Sequence, residues 1–296
     1  MTALLPEQRC AASSLRRGDD PVATAAPVSR WLLVEQPGRW GRDALTESMI
    51  DPVIGRRLSA AAATVGVRIV LIRRPGRSAA GTVKAWAHAD SRPGHESLRW
   101  GSYSEHADLL DGPLQGIGGQ AQSRPVYLVC AHGRHDACCA IRGRPVAAAL
   151  QRLRPDQVWE CSHIGGDRFA ANVVVLPEGL YYGHVDVAGA PRIVAAHEAG
   201  EVVPALLRGR CSLPAPVQAA QQHARALSGE LRIQALRPLA VRRIEAATWR
   251  VVLAGVGAPV TVTVRAEMTA AQLLTCAAVR PEPARVFRLI AWEPQL

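Results

Sequence analysis

Lysine is all but missing from this chain. Lys84 is the only one, and the net charge of +10 over 296 residues is carried by arginines scattered through every segment. A nucleic-acid surface needs positive charge gathered into a stripe or patch. No zinc-finger, RRM or basic-helix pattern accompanies the arginines, so no DNA or RNA partner is expected. Aromatic residues are also few, at 4%. No N-terminal segment couples basic residues to a long apolar run, so no secretory signal is read. The longest apolar stretch, Leu58–Ile72, is broken by Arg68 and is too short to cross a bilayer. A cytoplasmic protein without a membrane partner is the expectation. Catalytic signatures are missing as well. There is no Cys-x-x-Cys, no Gly-x-Ser-x-Gly elbow, and no carboxylate pair placed to flank a sugar. A hydrolase has no chemical support.

What the chain does hold is a concentration of soft ligands. Of seven cysteines and nine histidines, four of each lie between Tyr127 and Val185. An odd, unevenly clustered cysteine set in a chain of this length argues against an extracellular disulfide framework and for metal or redox use. The stretch opens with an apolar strand over Val126–Val129 that ends at Cys130. A polar loop leads to Cys138-Cys139 and a helix over Pro145–Leu153, stopped before Pro155. A second strand over Gln157–Cys161 ends at Ser162-His163, and Gly165-Gly166 turns the chain. Asn172–Leu176 and Leu180–Val185, separated by Pro-Glu-Gly, read as a hairpin.

Strand, helix, strand places the two strands parallel with a right-handed crossover. Both ligand-bearing loops then leave the carboxyl ends of neighbouring strands, where open α/β sheets carry their sites. Cys130 and Cys139, with eight residues between them, would face His163 and Asp167, with three between. Sulfur and imidazole together favour zinc or an iron–sulfur cluster over magnesium or calcium.

The motifs Cys130-Ala-His132-Gly-x-x-Asp136-x-x-Cys139, His163-Ile-Gly-Gly, Arg168-Phe169-Ala170 and Leu176-Pro177-x-Gly179-x-x-Tyr182-Gly183 resemble the sucrase/ferredoxin-like proteins, relatives of the thioredoxin-like 2Fe-2S ferredoxins. Trp31–Gly41 (WLLVEQPGRWG) is similar to the amino-terminal signature of that family. The resemblance implies a 2Fe-2S electron-transfer protein with mixed cysteine and histidine ligation and a redox protein as its partner. In the family the cluster is held by a Cys-x8-Cys and a His-x3-His pair. Here Asp167 stands where the second histidine is expected. Cys161, two residues before His163 and on the same face of an extended chain, is a second candidate for the fourth ligand. A structural zinc protein on the same ligands and a thiol oxidoreductase suggested by Cys138-Cys139 are the alternative readings.

The same order of elements is read earlier in the chain. Trp31–Glu35 is a strand, Asp51–Thr64 a helix with Asp51 as N-cap and Pro52 in its first turn, Val67–Ile72 and Thr82–Ala87 strands, and Leu98–Tyr103 the end of a hairpin. The loop after the second of these strands, Arg73 to Ala80, has no cysteine or histidine. The expected fold is therefore α/β (α+β): two tandem thioredoxin-like units with a C-terminal β-rich extension. The divisions are a flexible lead-in (1–28), a unit without ligands (29–110), a linker (111–123), the ferredoxin unit (124–210) and a helix with β-rich extension (211–296). Gly116-Ile-Gly-Gly in the linker precedes a strand rather than a helix, which rejects a dinucleotide fingerprint. After the ferredoxin unit, Arg192–Leu207 and Ala215–Leu227 read as helices, followed by strands over Val241–Arg243, Thr248–Leu253, Val260–Arg265 and Val286–Ala291, with Met268–Ala277 helical or a loop. Cys10 is read as an incidental thiol, Cys138, Cys211 and Cys276 as structural, His132 and His135 as solvated loop residues, His184 as structural, and Asp136 as a helix cap. Arg168 and Asn172 are expected to hydrogen-bond the cluster loop or a partner.

Overall fold

The computed structural model describes residues 5–76, 83–255 and 257–294. Its elements run α1 (Cys10–Arg17), β1 (Arg30–Glu35), α2 (Pro52–Val65), β2 (Val67–Arg73), β3 (Lys84–Asp90) and β4 (Ser97–Tyr103). Next come α3 (Gly112–Gln115), β5 (Gln120–Ala121), β6 (Val126–Cys130), α4 (Ala137–Leu153), β7 (Val158–Cys161), β8 (Val173–Leu176) and β9 (Leu180–Tyr182). The chain ends with α5 (Gly189–Glu198), β10 (Leu207–Arg210), α6 (Ala215–Ser228), β11 (Pro238–Glu245), β12 (Thr248–Leu253), β13 (Val260–Met268) and β14 (Arg285–Pro294).

Local chemistry sets these boundaries. Asp51 caps α2 by accepting from the Val53 amide at 2.7 Å, Pro52 supplies the fixed φ of the first turn, and Gly66 at φ 67° ends the helix. In α4 the cap is Asp136, whose carboxylate accepts from the Cys138 amide at 2.8 Å. The helix therefore starts eight residues before Pro145, where the sequence pattern places it. Proline lacks an amide for the turn behind it and normally marks a helix start. Here the cap, together with buried Cys138, Cys139, Val146, Ala147 and Leu150, holds the helix through the proline. Gly143 makes that packing close: a β-carbon there would sit 2.1 Å from the Cys130 carbonyl oxygen.

The strands form one ten-stranded sheet in the order β10-β9-β8-β6-β7-β2-β1-β3-β4-β5. β1 and β2 are parallel, as are β6 and β7, and β2 meets β7 antiparallel at Ile72–Cys161 and Arg73–Glu160. The order β2-β1-β3-β4 on one side of that junction mirrors β7-β6-β8-β9 on the other. The mixed α/β class is as expected, with apolar strands buried on both faces, as parallel-containing sheets require. β11 to β14 form a separate antiparallel sheet against α6, closing a core of Val217, Ala220, Val251, Val262, Val264 and Phe287.

Several boundaries differ from the sequence reading. The lead-in carries α1, anchored because Cys10, Ala11 and Ser14 are buried. The linker contributes α3 and the edge strand β5. α5 stops at Glu198, since Gly200 turns at φ 72°, and Leu207–Arg210 becomes an edge strand on β9. Of the two alternatives for the segment after Met268, helix or loop, the structure has the loop. β3 begins at Lys84; Thr82, and Ser78 to Ala80 of the preceding loop, lie outside the described residues. No helix among the described residues is long and apolar enough to cross a membrane.

Candidate metal centre

The parallel pair β6 and β7 delivers the site. Cys130 and Cys161 end these strands as register partners, so their side chains start side by side. The capped first turn of α4 turns Cys139 back toward them. The thiols of Cys139 and Cys161 hydrogen-bond Cys130, which holds the Cys130 thiol well below its ordinary pKa. The bond to Cys130, with burial, pushes Cys139 up; burial, with Cys130, pushes Cys161 up.

The second loop closes over this pocket. Gly165 at φ 94° and Gly166 at φ 80° reverse the chain and start a short turn at Asp167. The Asp167 carboxylate, 3% exposed, accepts from the Cys139 thiol at 3.2 Å and lies 3.0 Å from His163 Nδ1. His135 Nε2 approaches the same carboxylate at 3.6 Å, and its ring stacks on that of His163 with centroids 3.7 Å apart. Cys139, His163 and Asp167 thus meet at one carboxylate, with Cys130 directly behind Cys139. Cys161 lies on the inner side, against Cys130 and away from these contacts. The imidazoles of His135 and His163 are 33% and 29% exposed, so thiols form the floor of the site and histidines its solvent edge.

Buried polar groups hold the loop in this position. The Arg208 guanidinium, 2% exposed, donates to the Gly165 carbonyl at 2.9 Å, to Asn172 Oδ1 at 2.7 Å and to Thr24 Oγ1 at 3.0 Å. Burial lowers its pKa to about 10. Asn172 in turn donates to the Gly166 carbonyl at 2.9 Å, in keeping with its expected role. A β-carbon at Gly166 would fall 2.4 Å from the guanidinium, so glycine is needed there for the close approach as well as for its φ. Arg168 instead turns toward α1, 3.7 Å from Asp19.

The first half of the chain also reaches the site. His132 is buried rather than solvated: its Nδ1 accepts from the His163 amide at 3.2 Å, and its Nε2 meets the Gly41 carbonyl at 2.9 Å. Those two partners require the proton on Nε2. Trp40 packs edge-on to the same ring, and Arg68 of β2 donates to the His163 carbonyl at 3.0 Å. Trp40 and Gly41 close the Trp31–Gly41 stretch singled out in the sequence, and both touch His132.

Three cysteines assigned elsewhere by the sequence reading converge beside this site. Cys276 Sγ lies 3.5 Å from both Cys138 Sγ and Cys10 Sγ, and Cys10 Sγ lies 3.5 Å from Asp136. Cys10 is therefore not an isolated thiol: it is buried in one core with Cys138, and Cys276 packs against that core. Only Cys211 remains apart, buried with its thiol pushed up to about 12.

The family model for sucrase/ferredoxin-like proteins matches residues 21–209, and the chain belongs to that family. No curated protein matches the sequence. Among solved structures, the chain is similar to the thioredoxin-like 2Fe-2S ferredoxin of Aquifex aeolicus, at 22% identity over 31% of this chain and 97% of that one, with a TM-score of 0.28. Two cysteine-to-serine variants of that ferredoxin match at 23% identity over 28% of this chain and 97% of theirs, each with a TM-score of 0.25.

Proposed function

We propose that the chain is a one-electron carrier holding a 2Fe-2S cluster on Cys130, Cys139, His163 and Asp167. The observation that carries this reading is the single carboxylate of Asp167 touched by both the Cys139 thiol and His163 Nδ1. His163 Nδ1 is buried and has no aligned hydrogen bond, although the carboxylate is 3.0 Å away. An imidazole nitrogen without an aligned partner and a thiol that reach one carboxylate from two loops are donors that a borderline-soft metal satisfies. The donor set therefore fits the group that the family suggests. When bound, such a cluster gains and loses one electron without any substrate bond being made or broken.

The remaining work belongs to the chain. Cys130 and Cys139 supply anionic sulfur in a dry floor. His132 fixes the His163 backbone, and Arg208 clamps the turn before Asp167. Neutral imidazole raises the potential relative to an all-thiolate site, and the Asp167 carboxylate returns one negative charge. His135, stacked on His163, supports that ring at the exposed edge where a redox protein would dock. Cys161, deeper in the sheet, serves the Cys130 thiolate as a hydrogen-bond donor rather than as the fourth ligand. The cytoplasm suits reduced thiols of this kind. The mirrored strand order on the two sides of β2 and β7 supports an internal duplication in which the first copy carries no ligands.

Anaerobic purification with UV–visible and EPR spectra tests the reading. The expected outcome is a coloured protein with a reducible iron–sulfur signal, altered in Asp167→Ala and retained in Cys161→Ser. A colourless protein carrying zinc on Cys139 and His163 would overturn it.

A further inference from the structure

We propose that Cys10, Asp136, Cys138 and Cys276 form a second metal site, built for one tetrahedral zinc ion that staples α1 and the loop between β13 and β14 to α4. One ligand atom from each residue lies within 4.8 Å of every other. Cys10 Sγ and Cys138 Sγ are each 3.5 Å from Cys276 Sγ. Zinc–sulfur bonds of about 2.3 Å in a tetrahedron put sulfurs roughly 3.8 Å apart. The observed spacing is close to that edge and far beyond a disulfide bond of about 2.05 Å.

Asp136 supplies the fourth corner. Its carboxylate is 2% exposed and accepts from the Cys138 amide at 2.8 Å and the Cys276 amide at 2.7 Å. No arginine, lysine or histidine among the described residues forms an ion pair with it. A carboxylate taken out of water among three sulfurs, with no cation beside it, is costly. A divalent ion at their centre would balance that charge, and each of the two amide bonds leaves lone pairs on the oxygens for it.

The ligands come from α1, from the first turn of α4 and from the loop between β13 and β14, 266 residues apart at the extremes. Closing so long a loop is where a metal clip restricts the unfolded chain most. The second site is separate in its residues from the proposed iron site, and the inference does not depend on that reading.

The full-length protein, purified in reductant, is to be assayed for zinc and iron by mass spectrometry and titrated with cobalt(II). One zinc per chain is expected, replaced by cobalt with the charge-transfer bands of thiolate ligation. Cys10→Ser with Cys276→Ser should abolish that zinc and those bands while leaving any iron signal unchanged. Cys139→Ser with His163→Ala should keep both, which separates this site from the neighbouring one. Should the first double variant fail to fold, the cobalt bands of the second decide alone. Absence of tightly held zinc after loading and desalting would overturn the proposal. So would loss of the cobalt bands on substituting Cys139 and His163, or a Cys138–Cys276 disulfide in the reduced preparation.

Discussion

His163 and Asp167, four residues apart in the chain, face each other across the Gly165-Gly166 turn, Nδ1 to Oδ1 at 3.0 Å. The same carboxylate reaches the thiol of Cys139 from the other loop. A single side chain therefore joins the two loops, and its charge is the quantity to vary. Replacing Asp167 by His exchanges an anionic oxygen for a neutral nitrogen and restores the ligand pattern of the family. The variant should keep the iron–sulfur spectrum and show a midpoint potential higher by on the order of 100 mV, in the sense by which imidazole ligation raises Rieske centres. Spectroscopic redox titration measures this directly. An unchanged potential would mean that Asp167 makes no bond to the metal.

Much of this site was legible in the sequence because strand, helix, strand carries its own geometry. The parallel pairing of β6 and β7 puts Cys130 and His163 at one rim, whatever the rest of the chain does. The partners that escaped the reading are those whose contacts have no local signature. Cys10 meets Asp136 across 126 residues and Cys276 meets Cys138 across 138, within segments that read as a polar lead-in and a β-rich extension. Arg208 looks like any other arginine in an arginine-rich chain, and only burial sets it apart. Gly41 contributes through a backbone carbonyl, which sequence does not encode. The start of α4 was misplaced because Pro145 is the stronger local signal, whereas the Asp136 cap and buried thiols act through tertiary packing.

Arg208 offers a test of how the histidine loop is held. Its guanidinium satisfies the Gly165 carbonyl, Asn172 and Thr24 in a fully buried position. Arg208→Met removes those donors while roughly keeping the volume, and each acceptor left dry costs about 1–3 kcal/mol. The expected outcome is a clear drop in thermal midpoint, with hydrogen exchange rising first at residues 163–168. A variant that melts like the native protein would show that the loop holds itself.

Gly143 tests the packing of α4 on the sheet. A methyl group there meets the Cys130 carbonyl at 2.1 Å, a backbone atom that cannot swing away. Gly143→Ala should destabilise the fold by about 1–3 kcal/mol, as overpacking usually does. It should also disturb the site, because the shift moves Cys139 relative to Cys130. Gly66→Ala is the comparison: it has no atom within 4 Å and suffers only from its φ of 67°. Equal behaviour of the two variants, by denaturant melts and visible spectra, would count against this packing argument.

His184 makes stability depend on pH. Its ring packs edge-on to Phe169, its Nδ1 is buried without a partner, and burial with Arg142 and Arg208 nearby lowers its pKa from 6.5 to about 4. The neutral form is thus the one the fold accepts, whereas the unfolded chain binds a proton at the ordinary value. Above pH 6.5 both states are neutral and the full stability is present. As pH falls from 6.5 toward 4 the unfolded state gains a proton that the folded state refuses, and stability is lost. Asparagine tolerates the backbone φ of 52° at this position and does not titrate. Denaturant midpoints of His184→Asn should therefore fall less than those of the native chain between pH 7 and pH 4.5, whatever the offset at neutral pH. Parallel declines in the two proteins would assign the acid sensitivity to other groups.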